Sequence, residues 1–125
     1  MTTKLSDKKC IPCQGDFPPL KGDAVHQLLK ELGAGWDMIV EHHLQKSFIF
    51  KNFQEALDYT NAVGLIAEQE GHHPEIILTW GKVTLRIWTH KIDGLTESDF
   101  IFAAKAEQAF APNLNKPNEK GKSHD

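Results

Sequence analysis

The stretch that decides the fold spans residues 52–90 and reads NFQEALDYTNAVGLIAEQEGHHPEIILTWGKVTLRIWTH. Its first half predicts a long amphipathic helix, because apolar or small residues recur at helical spacing along one face. These positions are Phe53, Ala56, Leu57, Thr60, Val63, Gly64 and Ala67. Asn52 occupies the cap position with Glu55 three residues later, which resembles a capping box, and Gly71 predicts the end of the helix.

The second half of the stretch predicts a β-hairpin over residues 76–80 and 83–90 that turns at Gly81 and Lys82. Successive side chains of a strand point to opposite faces, so the second strand has an apolar face and a polar one. The apolar face carries Val83, Leu85 and Ile87, and the other face carries Thr84, Arg86, Trp88 and His90. We therefore expect His90 to close this strand on the side away from the aliphatic core.

The segment before this stretch predicts one more helix and one more hairpin. Asp23 is expected to cap a helix that ends at Gly33, with apolar residues at helical spacing. These apolar residues are Val25, Leu28, Leu29 and Leu32. Residues 36–40 and 44–50 predict two strands, and the polar turn between them places His42 and His43 on the solvated surface. The aromatic residues expected in the core are Trp36, Phe48, Phe50 and Phe53.

The segment after the stretch predicts a last helix that begins at Thr96, with Asp99 three residues later, and runs to Phe110. The predicted order is therefore α-β-β-α-β-β-α. Two hairpins separated by helices favour an α+β, two-layer sandwich, in which helices pack on one face of a four-stranded antiparallel sheet. The other face would stay open or be covered by a ligand or another subunit. We expect an extended N-terminal arm over residues 1–22, a folded domain over residues 23–110 and a disordered tail over residues 111–125.

Composition narrows the class of protein. The chain has 125 residues, with 14 Lys and Arg against 17 Asp and Glu, and its net charge of -3 argues against a nucleic-acid binder. No apolar run reaches the length of a membrane span, and the N-terminus lacks the apolar segment of a signal peptide. Only two cysteines are present, which favours a reducing, cytoplasmic location. Cys10 and Cys13 form a lone CxxC, which is interpreted as half a metal site, a redox pair or a pair without either role.

Candidate functional residues cluster around the histidines. His72 and His73 follow the end of the long helix, Pro74 forces His73 into extended backbone, and the two imidazoles should therefore point in different directions. His90 ends the last strand, and the two nearest acids in this pattern are Glu68 and Asp99. Imidazoles exchange protons near neutral pH, so this group suits an elimination or a hydration. Two other interpretations of these histidines stay open at this point. They could be ordinary exposed polar residues, or they could bind zinc, although their spacing matches none of the usual zinc-ligand spacings.

The spacing Glu68-x3-His72-His73-Pro74-x5-Trp80-x9-His90-x8-Asp99 resembles the signature of the pterin-4a-carbinolamine dehydratases. The segments GHHPEIILTWGKVTLRIWTHKIDGLTESDF and FIFKNFQEAL are similar to that family too, and the resemblance covers residues 35–110. The resemblance implies dehydration of 4a-hydroxytetrahydropterins to quinonoid dihydropterins in pterin recycling. It also implies a homodimer or homotetramer that uses no metal and no redox cofactor.

The resemblance further implies the roles of individual residues. The catalytic residues would be His72, His73 and His90, and the substrate-binding residues would be Glu68, Pro74, Trp88, Thr89 and Asp99. In our interpretation His72 and His90 protonate hydroxyls that leave from the two faces of the pterin ring, and His73 orients the substrate. The sequence departs from the animal members at Gly71, Ile76 and Trp88, in a way that resembles bacterial and plastid branches.

Three alternatives to this function come from other classes of protein. The first is a pterin-binding or pterin-modifying protein linked to molybdenum-cofactor metabolism. The second is a non-catalytic dimerisation module, because some animal members of the family also act as partners of a transcription factor. The third is a metal-dependent hydrolase that uses the same histidines.

Overall fold

The computed structural model describes residues 5–8, 10 and 18–115, with side chains described as far as residue 110. A short 3-10 helix covers Leu5–Asp7. The α-helices are α1 (Gly22–Leu32), α2 (Phe53–Glu70) and α3 (Glu97–Asn115). The strands are β1 (Asp37–Ile39), β2 (His43–Ile49), β3 (Glu75–Thr79) and β4 (Lys82–Ile87). No helix of these described ranges is long and apolar enough to cross a membrane.

The four strands form one antiparallel sheet in the order β1-β2-β4-β3. In the central pair, Leu44 lies opposite Ile87 and Phe48 lies opposite Val83, and all four side chains are buried against the helices. The other face of these strands carries polar residues, among which the hydroxyls of Ser47 and Thr84 are 2.8 Å apart. The expected α+β fold, with helices on one face of a four-stranded antiparallel sheet, is confirmed.

The ends of α2 match the sequence signals. The Asn52 side chain accepts a hydrogen bond of 2.8 Å from the backbone N–H of Glu55, so the predicted cap is confirmed. Gly71 adopts the left-handed conformation, with φ of 65°, and its N–H donates to the carbonyl of Ala67. An acidic residue at position 71 would be strained in this conformation, which explains the glycine.

Asn52→Ala should lower the free energy of unfolding by about 1 kcal/mol, because the Glu55 N–H in the first turn of α2 loses its acceptor. The matched control is Asn61→Ala, since Asn61 is an exposed residue within the same helix. This control should be neutral or stabilising by up to about 0.7 kcal/mol, because alanine has the higher helix propensity. Urea unfolding of the two variants beside the wild type measures both values. Equal stabilities of the two variants would contradict the cap assignment.

Two predictions about the helices were wrong. Asp23 does not cap α1, which begins at Gly22 after Lys21 and has no side-chain cap hydrogen bond. Asp23 lies in the first turn instead, where its carboxylate interacts favourably with the positive end of the helix dipole. Phe53 is 44% exposed and lies outside the core. Tyr59 is buried instead, and its hydroxyl donates to the carbonyl of Ala106 on α3 over 2.8 Å. The other buried residues of α2, Ala56, Val63 and Ala67, belong to the predicted face.

Strand boundaries also differ from the expectation at two histidines. β4 ends at Ile87, Thr89 forms an isolated bridge with Gly94, and His90 lies in the turn between them. His43 belongs to β2 and is only 6% exposed, so its predicted placement on the solvated surface was wrong. The side chains of His42, Arg86 and Trp88 lie against the His43 ring and cover it.

The described part of the N-terminal segment packs on the domain. Leu5 is buried, Lys8 forms a 2.9 Å ion pair with Glu97, and Lys105 donates to the carbonyl of Ser6 over 2.9 Å. Near the end of this segment, the Leu20 N–H donates to the carbonyl of Leu95 over 2.8 Å. The segment therefore contacts the start of α3 and the loop before it. At the other end of the chain, α3 continues five residues beyond Phe110, and the rest of the predicted tail lies outside the described residues.

Candidate active site

A close imidazole–carboxylate pair lies where α2 ends and α3 begins. His72 follows Gly71, and its N–H donates to the carbonyl of Ala67 over 3.2 Å, which sets its direction from the end of α2. Its Nε2 atom lies 2.6 Å from Oδ1 of Asp99. The Asp99 side chain is fully buried and that of His72 is 12% exposed. The pair therefore combines an enclosed acceptor with an imidazole that retains limited access to solvent.

The second oxygen of Asp99 holds the surrounding backbone. Oδ2 accepts a 2.8 Å hydrogen bond from the backbone N–H of Thr96 and another of 2.8 Å from the hydroxyl of Thr89. Thr96 precedes the first turn of α3, and Thr89 immediately precedes His90. One buried carboxylate thus connects His72, the start of α3 and the loop that carries His90.

The His73 side chain points in a different direction from that of His72 and contacts a different carboxylate, as expected of the residue before a proline. Its Nε2 atom lies 2.6 Å from Oε2 of Glu68, which is near the end of α2. Both side chains are well exposed, at 59% for His73 and 76% for Glu68. Pro74, which follows, is half-buried and leads into β3. This pair is therefore open to solvent, in contrast to the His72–Asp99 pair.

His90 is exposed, and its ring lies against the indole of Trp88, with ring centroids 4.6 Å apart and planes inclined by 40°. Between them in the chain, Thr89 is buried and directs its hydroxyl to Asp99. Residues 88–90 thus place two aromatic rings on the outer side and one hydroxyl on the inner side. Substrate binding by Thr89 and Asp99 stays a prediction, and the structure gives both side chains contacts that support His72.

The structure places the predicted site residues in three groups. The first is the buried group His72, Thr89 and Asp99, the second is the exposed pair Glu68 and His73, and the third is the pair Trp88 and His90. The connection from the first group to the third runs along the backbone from Thr89 to its neighbours. Sequence reasoning missed His42 and His43, whose rings lie 5.3 and 5.7 Å from that of Trp88. The adjacent histidines are visible in the sequence, but their contact with Trp88 is not, because it depends on how the distant segments pack.

The thiol of Cys10 is buried and hydrogen-bonded. Its Sγ lies 3.4 Å from the carbonyl oxygen of Ser98, and its backbone N–H donates to Oε1 of Glu70 over 2.9 Å. Burial, and next the negative charge of Glu70, raise the pKa of the Cys10 thiol to about 12. The thiol is therefore protonated at neutral pH, which disfavours a thiolate role for Cys10. Cys13 lies outside the described residues. Within the described part of the chain, no three His, Cys, Asp or Glu residues are grouped so that they could hold a metal ion.

The α+β fold places histidines against carboxylates at one end of the sheet. The fold and these pairs together indicate a small protein with a candidate acid–base site. A model of the family described as pterin 4 alpha carbinolamine dehydratase matches residues 18–109. The chain belongs to this family, and the resemblance noted in the sequence is confirmed.

Proteins similar to this chain carry the family name. A protein of Rubrobacter xylanophilus, assigned by name to the pterin-4-alpha-carbinolamine dehydratases, is 52% identical over 106 residues, which are 85% of this chain and 98% of that protein. One from Alkaliphilus metalliredigens, with the same name, is 54% identical over 104 residues, which are 83% of this chain and 94% of that protein. A crystal structure from Brucella melitensis, titled as a transcriptional coactivator/pterin dehydratase, is 29% identical with a TM-score of 0.68. That match covers 73% of this chain and 97% of the other.

Proposed function

We propose that this chain, a pterin-4a-carbinolamine dehydratase by family, catalyses the reaction with His72, His73 and His90. The substrate class is the 4a-hydroxytetrahydropterins, and the products are a quinonoid dihydropterin and water. The observation that carries the assignment is the His72–Asp99 pair, in which a buried carboxylate holds an imidazole 2.6 Å away. The exposed His73 follows His72 in the chain, and the exposed His90 follows Thr89, which donates to the same Asp99. Such a pair orients an imidazole for proton transfer.

The reaction requires two proton movements and no electron acceptor. The bond between C4a and the hydroxyl oxygen breaks as that oxygen takes a proton, and water leaves. The N5 proton is released to a base or to solvent, and its bonding pair forms the new double bond between N5 and C4a. A histidine that gives the first proton is restored when it takes up a proton, so imidazoles near the ring suffice for the cycle.

His72 is suited to the proton donor because its environment fixes its tautomer. The Asp99 carboxylate is an acceptor, so the proton of neutral His72 lies on Nε2 and Nδ1 is the nitrogen that exchanges a proton with substrate. With Oδ1 of Asp99 2.6 Å from Nε2, a protonated His72 can give its Nδ1 proton to a departing hydroxyl. His90, on the loop tied to the same Asp99, is proposed to serve a hydroxyl on the other face of the ring.

His73 is proposed to orient the substrate, because it is exposed and held only by the exposed Glu68. His73→Ala should raise KM by about two- to tenfold, the effect of losing one solvent-exposed hydrogen bond, and should change kcat less. Steady-state kinetics on 4a-hydroxytetrahydropterin generated in situ separates the two constants. A loss of kcat above a hundredfold with unchanged KM would instead make His73 a proton donor.

The experiment that tests the function compares dehydration by the wild type with the spontaneous reaction. We expect saturable acceleration that a chelator leaves unchanged, because the proposed steps use only side chains of this chain. A folded protein that binds pterin without accelerating the reaction would favour the pterin-binding alternative. Loss of activity in chelator that zinc restores would favour the hydrolase-like alternative.

The chain is also proposed to self-associate in the cytoplasm as a homodimer or homotetramer. The supporting observation is the open face of the sheet, where Ile49 is 66% exposed and Ile77 is 42% exposed. Covering such side chains with a second copy removes apolar surface from water. Light scattering after size exclusion should give a mass of two or four chains, and a monomer at micromolar concentration would contradict the proposal.

A further inference from the structure

A second pair of histidines, His42 and His43, lies beside the candidate active site. The Nδ1 atoms of the two rings are 2.9 Å apart, and Nε2 of His42 is 2.7 Å from Oδ1 of Asp93. On the other side, Nη2 of Arg86 is 3.5 Å from Nε2 of His43. These four side chains, in the order Arg86, His43, His42 and Asp93, form a row that we name the histidine chain.

Only one arrangement of protons satisfies the whole histidine chain. Arg86 can only donate, so Nε2 of His43 accepts and the proton of that ring lies on Nδ1. Nδ1 of His43 then donates to Nδ1 of His42, whose own proton lies on Nε2 and is donated to the Asp93 carboxylate. Both rings are neutral in this arrangement. Protonation of either ring places two donors against each other, so one hydrogen bond of the histidine chain is lost.

The surroundings of His43 keep its ring neutral at pH 7. Burial, followed by the charges of Arg86 and His42, holds the pKa of His43 below its ordinary value of 6.5, and Glu75 opposes this shift. The charged groups that face the chain are thus Arg86 from β4, Glu75 from β3 and Asp93 from the loop after β4. Because the unfolded chain takes up this proton first, the fold loses stability as pH falls from 6.5 toward the lowered pKa.

The histidine chain reaches the active site through Trp88. The centroid of the Trp88 ring is 5.3 Å from that of His42, 5.7 Å from that of His43 and 4.6 Å from that of His90. Aromatic rings at these separations restrict one another's orientation. We propose that His42 and His43 are positioning residues, which hold the Trp88 indole so that it orients the His90 ring for the reaction. This inference rests on the proposed function only in giving His90 a role in proton transfer.

His43→Phe tests the inference, because phenylalanine keeps an aromatic ring at Trp88 but can neither donate nor accept a hydrogen bond. The matched control is His26→Phe, since His26 is an exposed histidine on α1 that lies outside the histidine chain and pairs with Glu41 over 3.3 Å. In NMR titrations without substrate, we expect the Trp88 indole signal of the wild type to shift with the midpoint of His43, below pH 6.5. In His43→Phe this step should be absent and the His90 ring signals displaced, whereas His26→Phe should match the wild type.

A second variant guards against misfolding at the buried position. Asp93→Gly removes the carboxylate that accepts from His42 at the exposed end of the histidine chain. Glycine tolerates the φ of 58° found at position 93. This variant should displace the Trp88 and His90 signals in the same direction. Both variants should lower kcat/KM by about two- to tenfold, the range that a misplaced aromatic contact carries. Signals and kcat/KM equal to those of His26→Phe in both variants would overturn the inference. A wild type that does not accelerate dehydration would instead refute the proposed function, and the NMR result would still decide the coupling.

Discussion

Asp99→Asn is expected to lower kcat/KM by about 10²- to 10⁴-fold, the contribution of one positioned acid–base group. The two oxygens of Asp99 accept from His72 on one side and from the Thr96 N–H and the Thr89 hydroxyl on the other. An asparagine can present an oxygen to only one side. If its NH2 faces His72, that ring takes the opposite tautomer and offers the wrong nitrogen to substrate. If its NH2 faces Thr96, two donors meet at the start of α3.

The second orientation should also reduce stability by about 1–3 kcal/mol, because the Thr96 N–H loses its acceptor, whereas the first keeps these hydrogen bonds and changes only the tautomer of His72. The matched control is Asp58→Asn, an exposed aspartate on α2 that accepts from the side chain of Gln54 over 2.8 Å. Steady-state kinetics and urea unfolding of the two variants separate the effects. If Asp99→Asn retains wild-type kcat/KM while the protein is folded, the tautomer of His72 is not set by Asp99.

His90→Gln is expected to lower kcat/KM by a similar factor of about 10²–10⁴ without a loss of stability. His90 is exposed, and its described ring contact is with Trp88, so the fold does not depend on the imidazole. Glutamine keeps the ability to hydrogen-bond but cannot transfer a proton near neutral pH. The pH profile of kcat/KM should therefore lose one of its titrating groups.

The control for this variant is His26→Gln, which removes an imidazole from the surface of α1 and should keep the full pH profile. A change in KM alone for His90→Gln, with kcat and the pH profile preserved, would assign His90 to binding. In that case His72 would be the single proton donor of the proposed mechanism.

Local signals in the sequence were sufficient for most of the fold. The cap at Asn52, the glycine at position 71 and the alternation along β4 each depend on a few neighbouring residues, and each was predicted correctly. The apolar spacing of α2 predicted its length and three of its buried residues, Ala56, Val63 and Ala67, but not Tyr59. Tyr59 is buried because α3 lies beside it and Ala106 accepts its hydroxyl proton, and neither fact is encoded near Tyr59.

The parts of the site that sequence reasoning missed depend on distant pairing. His43 is buried because β2 pairs with β4 in a register that sets Leu44 opposite Ile87, which brings His43 beside Trp88. The preceding turn uses positive φ at Val40 and Glu41, residue types that seldom signal it. Cys10 is likewise fixed by the carbonyl of Ser98, 88 positions away. No periodicity within either segment could have predicted these contacts.

The most direct test of the account measures dehydration of a 4a-hydroxytetrahydropterin by the wild type and by the double variant His72→Ala/His90→Ala. Circular dichroism of both proteins establishes that the variant is folded. We predict saturable acceleration by the wild type, and a rate equal to the spontaneous one for the folded double variant. Acceleration by the double variant at the wild-type kcat/KM would contradict histidine acid–base catalysis at this site.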